Sequence, residues 1–156
     1  MVHRVEETLI QYGQPSSSPG LEWAWVDAEL TKAGTYWVST STNGHPHPRP
    51  VWGIWVDEVL HLSIGSPKLA AAEIGTPTTV HLESGTDVVV VEGRVDAKTV
   101  DASLLSVYDA KYTWTYDVDT YGPLTSIRPE VALAWRSAGW AGRDGFTATN
   151  RWRWVP

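Results

Sequence analysis

The first sustained pattern along the chain is helical. In LEWAWVDAELTKAG (21–34), Leu21, Trp25, Ala28 and Lys32 recur at helical spacing and Gly34 is a suitable stop. The stretch QPSSSPG (14–20) ahead of it reads as a flexible lead-in, whose serines and Gly20 supply helix-start chemistry. The period then drops to two. TYWVSTSTNGHPHPRPVWGIWVDEVLHLSIG alternates, is rich in Thr, Val and Trp, and is punctuated by Asn43-Gly44, a strong hairpin signal. It predicts strands over 35–42, 47–56 and 59–64. SPKLAAAEIG reads as a short helix with Ser66 as N-cap, Pro67 at the first helical position and Gly75 closing it. TPTTVHLESGTDVVVVEGRVDA gives two strands around Ser84-Gly85. Its run Val88 to Val91 is apolar on both faces, as expected where one side meets a barrel interior and the other a helix or second subunit. DASLLSVYDAKYTW reads as helix, and VALAWR (131–136) and FTATNRWRWV (146–155) as strands.

The sum is mainly β: six or seven strands, mostly hairpin-linked and antiparallel, with two or three short helices, forming a small barrel. One register stays open. A three-residue loop at 57–59 pairs Val56 with Leu60 and puts Arg49, Gly53, His61 and Ser63 on one face. A two-residue turn puts Leu60, Leu62 and Ile64 there instead, because a slip of one residue exchanges the faces. The first grouping collects apolar residues better, but the sequence does not fix it.

Composition narrows the function. At 156 residues the chain fits a single domain, with 1–20 as lead-in. It has no long uncharged apolar run and its N-terminus MVHRVEETLI is charged, so no membrane span or signal peptide is expected and a cytoplasmic location is. No cysteine is present, which removes disulfides and thiolate nucleophiles. A net charge of −6 disfavours nucleic acid as a general partner. Ten tryptophans stand against one phenylalanine. Aromatics at that density fill cores and interfaces, or stack on a flat ligand or sugar. Trp52 and Trp55 fall on opposite strand faces, so this segment makes no flat sugar platform. His45 and His47 point to one side of a strand, with His61 and His81 as further metal ligands to consider. The pair straddles prolines and no carboxylate is spaced to complete a triad, so no metal is expected. Neither a Gly-x-Ser-x-Gly elbow nor convincing paired carboxylates are found.

The candidate chemistry gathers around two isolated cations. Gly65-Ser66-Pro67-Lys68 offers a tight turn, a hydroxyl and free amides at a helix start. A lysine in a first helical turn is unfavourable by on the order of a few tenths of a kcal/mol, and an anionic ligand would reverse that sign. Arg49 lies one hairpin earlier, in an otherwise apolar strand. Together they suggest a phosphate site.

The order of these motifs resembles the FMN-binding split-barrel family, which includes the pyridoxamine 5'-phosphate oxidases and the flavin- or deazaflavin-dependent reductases. The resemblance runs from about 35 to 97: strand, Asn-Gly turn, Arg49-Pro50-Val51, a strand ending in Ser63, Gly65-Ser66-x-Lys68, helix, strand, hairpin, and Glu92-Gly93. The closing TATNRWRW is also similar to the end of short members. The resemblance implies a split β-barrel and a homodimer with a flavin at each subunit interface. Arg49 and Lys68 would bind its phosphate, helped by Ser63 and Ser66. Backbone groups of Pro50, Val51 and Trp52 would lie along the isoalloxazine ring, and Arg151 and Trp152 would approach from the last strand. It further implies oxidoreductase chemistry, a hydride passing between FMN and a small planar or quinone-like acceptor, with the cofactor supplying the reactivity.

The departures set limits on that substrate. Where the B6-specific oxidases carry a substrate-binding lysine this chain has Ile54, and where they carry an arginine before the phosphate-binding lysine it has Pro67. Val88 stands for their ring-contacting glutamine, Arg151-Trp152-Arg153 for Arg-x-His, and YDAKYTWTY has no clear counterpart of their Tyr/Arg/Ser trio. Pyridoxamine phosphate is therefore not implied. Coenzyme F-420, a deazaflavin, is the alternative cofactor. Its acidic tail would call for a basic groove, and Arg4, Arg143 and Arg153 are scattered along the chain. A non-catalytic flavin or haem binding protein, with His47 or His61 as axial ligand, is the remaining alternative.

Overall fold

A computed structural model describes residues 1–8, 20–42, 44–137, 147 and 149–156. Its strands are β1 (His3–Thr8), β2 (Tyr36–Thr42), β3 (His45–Val56), β4 (Val59–Ser63), β5 (Pro77–His81), β6 (Asp87–Thr99), β7 (Leu124–Arg136) and β8 (Asn150–Val155). The helices are α1 (Trp23–Lys32), α2 (Pro67–Ala70), α3 (Ala102–Tyr112) and α4 (Val118–Tyr121). All strand pairings are antiparallel, in the order β1-β8-β7-β4-β3-β2-β5-β6, and β6 pairs back onto β7. Six strands thus close a barrel and β1 and β8 extend from it, which is the mainly β split barrel expected. No described helix is long and apolar enough to cross a membrane.

The split is made by β7. One edge of this long strand pairs with β6 along its length. The other is shared: Thr125 to Ile127 pair with β4, and Val131 to Ala134 pair with β8. Pro129 cannot donate to a ladder and sits beside a register shift, where Gly93 pairs with Pro129 and Glu92 with Val131. Gly93 is required there. A Cβ on it would lie 2.2 Å from the Arg128 carbonyl oxygen.

Alternation fills the interior. Val51, Trp55, Leu60, Leu62, Val80, Val89, Val91 and Ile127 form one buried core, capped by Val26 and Leu30 of α1 and Leu69 of α2. Within the Val88–Val91 run the odd-numbered residues are buried and Val88 and Val90 half-buried, so the inner half of that expectation holds. Burial of each such side chain contributes about 1.5–3 kcal/mol. A second, smaller cluster lies on the other face of β3: Ile54, Tyr108, Tyr116 and Leu124, with Leu104, Leu105 and Tyr112 packed against it. It fastens α3 and α4 to the outside of the barrel.

Several expectations are corrected. The described residues form eight strands, because β1 lies in the charged segment MVHRVEET. Its pairing is braced by ion pairs of Arg4 with Glu58 and of Glu7 with Arg151 and Arg153, so no apolar alternation announces it. β7 begins seven residues before the predicted strand, its first half hidden by Pro129. The helix after Ser66 is a single turn, and Gly75, at φ +89°, turns the chain into β5 and donates its N–H to Val95 O. α4 was not expected. The open register resolves as a two-residue turn: Val56 pairs with Val59, and Asp57 and Glu58 adopt φ of 50° and 58°. Arg49 and Ser63 therefore fall on opposite faces of the β3–β4 ribbon by strand period. Asn43 of the Asn-Gly turn, most of 14–20, and Phe146 and Ala148 of the last predicted strand lie outside the described residues.

Replacing Gly93 with alanine is expected to cost about 1–3 kcal/mol by overpacking against backbone. Thermal unfolding should register this as a drop of about 2–10 °C. Gly85→Ala, where a Cβ meets nothing within 4 Å, is the matched control and should shift the midpoint little.

Candidate functional site

β3 outruns the strand on each side of it, at opposite ends. Its pairing with β4 stops at Trp52↔Ser63 and its pairing with β2 stops at Val51↔Tyr36. Pro46, Pro48 and Pro50 lie opposite Ser41, Ser39 and Trp37, and having no N–H they leave the β2 ladder to the residues between them. Their carbonyls face the edge that β4 does not reach, and the Pro48 carbonyl accepts from Arg49 Nη1 at 2.8 Å.

At the far end Gly53 N–H and C=O pass beyond β2, and α3 satisfies both. Gly53 N–H donates to Tyr112 Oη at 2.9 Å. The Tyr112 hydroxyl shares its proton between the carbonyls of Gly53 (2.8 Å) and Gly34 (3.0 Å). Lys111 Nζ donates to Gly53 O and to the Tyr36 hydroxyl, both at 2.9 Å, and lies 4.9 Å from the Tyr36 ring centroid. Burial pushes the Lys111 ammonium down to about 8 and the Tyr36 phenol up. Among the described residues no carboxylate pairs with Lys111.

Between this pinned helix and β3 opens a cleft of about 260 Å³. Pro50, Val51, Trp52, Ser63 and Gly65 line it from the barrel, and Tyr108, Trp114, Tyr116 and Tyr121 from the α3–α4 segment. Six aromatic rings form a closed circuit here. Trp52 stacks on Tyr112 (4.7 Å, 5° between planes), Tyr112 meets Tyr108 (4.8 Å), and Tyr108 meets Tyr116 (5.0 Å). Tyr116 then meets Tyr121 (5.8 Å), Tyr121 meets Trp114 (6.4 Å), and Trp114 returns edge-on to Trp52 (6.3 Å). Tyr116 donates its hydroxyl proton to Gly122 O at 3.0 Å, so in its 3.3 Å contact with Ser63 the serine is the donor. Burial pushes the Tyr108 phenol up to about 12 and raises that of Tyr116.

Among the described residues no charged side chain lines the cleft. Of the residues singled out in the sequence, it brings together Pro50, Val51, Trp52 and Ser63. Arg49 directly precedes lining Pro50 in the chain, and Ser66 directly follows lining Gly65. Arg49 and Lys68 are exposed, and neither makes an ion pair among the described residues. Trp152 is buried in the barrel core, edge-on to Trp23 at 5.4 Å and with its Nε1 unpartnered among the described residues. Arg151 is tied to Glu7. His61 is buried with Nδ1 2.8 Å from Ser126 Oγ, and burial lowers its pKa.

The aromatic wall of α3–α4 escaped the sequence reading. Its signal is the run YDAKYTWTYDVDTY, where Tyr108 and Tyr112 keep helical spacing and Tyr112, Trp114 and Tyr116 keep strand spacing, so no single period collects the rings.

No protein-family model matches this chain and no curated protein does. Solved structures do. The FAD and haem binding protein from Mycobacterium smegmatis aligns over 85% of this chain and 71% of its own, at 18% identity and a TM-score of 0.54. An FAD-binding protein from Mesorhizobium loti aligns over 100% of this chain and 98% of its own, at 15% identity and a TM-score of 0.51. This chain shares their fold. At such identities the likeness extends to the barrel and its topology.

The half-buried lysine makes a test of the site's construction. Lys111 favours its neutral form when folded, so raising the pH from about 8 toward the ordinary lysine range stabilises the protein. The phenols of Tyr36 and Tyr108, held up by burial, oppose this once unfolded tyrosine begins to ionise near pH 10. Denaturant titrations of wild type and Lys111→Met between pH 8 and 10 should therefore diverge, with the rise in stability absent from the variant.

Proposed function

We propose that this protein binds a flavin in the aromatic cleft and serves hydride transfer between it and a small planar partner. The observation that carries the reading is the cleft itself: a neutral, aromatic-walled slot against Pro50–Trp52, continued in the chain by Arg49 on one side and Ser66 to Lys68 on the other. The residues present fit such a group. Flat rings stack well on tryptophan and tyrosine, and a phosphate calls for cations not already neutralised by carboxylates.

In this reading Arg49 and Lys68 hold the phosphate with Ser66, Ser63 lines the cleft on the face opposite Arg49 with its proton given to Tyr116, and the backbone of Pro50, Val51 and Trp52 lies along the ring. A bound flavin supplies the hydride chemistry. The chain's own residues bind and orient the ring, and Trp52, Trp114 and the tyrosines keep water from its face. FMN is the first choice of cofactor and coenzyme F-420 the alternative; the names of the two fold neighbours bring FAD into the same comparison. A second copy of the chain would cover the cleft, whose rim exposes Trp52, Trp114 and Tyr121 to 46%, 45% and 47%. We accordingly propose a homodimer.

Absorption spectra after incubation with FMN, FAD or F-420 and desalting test the cofactor. A charge-assisted hydrogen bond is worth about 1.5–3 kcal/mol, so Arg49→Ala and Lys68→Ala should each weaken retention by about 10- to 100-fold. Undiminished binding by both variants would sink the phosphate assignment. Failure of all three cofactors to bind would sink the flavin reading.

A further inference from the structure

The chain has four lysines, and one of them is held unlike the rest. Lys32 pairs with Glu29, Lys68 is exposed, and Lys98 reaches from an exposed position to Ala70 O and Thr125 Oγ1. Lys111 is half-buried at the end of α3, against β3 and Tyr36. Its Nζ donates to Gly53 O and to the Tyr36 hydroxyl. The fully buried Tyr36 spends its own proton on Leu30 O at 2.5 Å, so toward Lys111 its oxygen can only accept.

Counting donors identifies the form that fits. An ammonium has three N–H groups, and a neutral amine has two and a lone pair. Among the described residues Nζ has two hydrogen-bond acceptors and no carboxylate. The neutral amine satisfies this setting with its lone pair unspent, whereas the ammonium leaves one N–H for solvent. The ring centroids of Tyr36 and Tyr112, 4.9 and 5.4 Å away, favour the charge. Burial outweighs them and brings the group down to about 8.

The reactivity of an amine toward electrophiles belongs to its lone pair. At pH 7.5 an ordinary lysine is neutral in about one molecule per thousand. Lys111 holds that form in a much larger share and keeps part of its surface in solvent.

We propose that Lys111 is a modification site for small acyl phosphates, and that its acylation loosens α3 from β3. The Nζ lone pair attacks the acyl carbon. The C–N bond forms as the C–O bond to phosphate breaks, phosphate leaves with that electron pair, and an amine proton passes to solvent. The resulting amide has one N–H, so it serves Gly53 O or Tyr36 Oη but not both. Tyr112, next in the chain, is the other tie of α3 to Gly53 and stacks on Trp52, so the change is felt at the cleft. The proposal stands whether or not a flavin binds there.

Full-length protein is treated with acetyl phosphate at pH 7.5 and sampled over time. Each sample is unfolded, its remaining amines are capped with deuterated acetic anhydride, and mass spectrometry reads the light-to-heavy ratio at all four lysines. Lys111 is expected to react about tenfold or more faster than Lys32 and Lys68. That advantage should shrink between pH 8 and 10, where an ordinary lysine gains its lone pair, and vanish in concentrated urea. Amide hydrogen exchange across 108–114 should rise about threefold or more in the acetylated protein, the scale of one lost hydrogen bond. Lys111→Arg treated in the same way should show no such rise.

A Lys111 rate equal to or below those of Lys32 and Lys68, an advantage that survives urea, or Lys98 as the fastest site would overturn the proposal. So would unchanged exchange at 108–114 in the acetylated protein, or the same rise in Lys111→Arg. FMN retention, read separately, decides the flavin reading and leaves this one untouched.

Discussion

The backbone of Gly53 is the point on which the site depends. At this residue β3 has run past β2, so one N–H and one C=O would be left without a ladder partner. A buried unpaired pair of that kind costs about 1–3 kcal/mol for each group, and water or a side chain must supply the difference. Here α3 supplies it, through Tyr112 and Lys111. The absence of a side chain is equally needed, since a Cβ would lie 2.7 Å from the His61 carbonyl oxygen on β4. One residue thus lets β4 close in on one side and seats a helix on the other.

The consequences spread outward from that contact. Tyr112, held at Gly53, stacks on Trp52, and Trp52 is both the last β3 residue paired with β4 and the first ring of the aromatic circuit. The circuit stands on the outer face because Ile54, Leu124, Tyr108 and Tyr116 make a second small core there. The barrel proper holds the other face rigid. The tryptophans divide along the same boundary. Trp55 and Trp152 fill the barrel interior, while Trp52 and Trp114 are half-exposed at the cleft. A residue type that composition alone marks as core or ligand platform serves both, and the face of β3 decides which.

Electrostatics divides the molecule in a comparable way. Cross-strand pairs such as Arg94–Glu130, Arg128–Asp96 and Arg136–Asp87 lie exposed on β6 and β7, where each is worth little alone. Half-buried Lys111 has no such partner among the described residues and is held by a carbonyl and a phenol instead. It contributes position at the cost of desolvation, which is why its titration reports on the seating of α3.

The sequence by itself determined the barrel. The period of two in 35–64 and 76–97, the turn residues between strands and the single clear helical stretch at 21–34 are local signals, and they survive because each inward face is apolar. It also placed Arg49 and Lys68 as cations without a local reason to be there. Tertiary structure decided what local signals cannot carry. The register at Asp57–Glu58 turned on a single residue of loop length, since either pairing buries some apolar side chains. β1 is held by charges from β8 and from the turn between β3 and β4, invisible until those elements meet. Trp152 alternates into the core and Arg151 out to Glu7 only because β8 pairs with β7 in one of two parities. The aromatic circuit joins residues from 52 to 121 through contacts between a strand, two helices and the link between those helices, and a one-dimensional pattern has no term for rings that meet across 60 residues of chain.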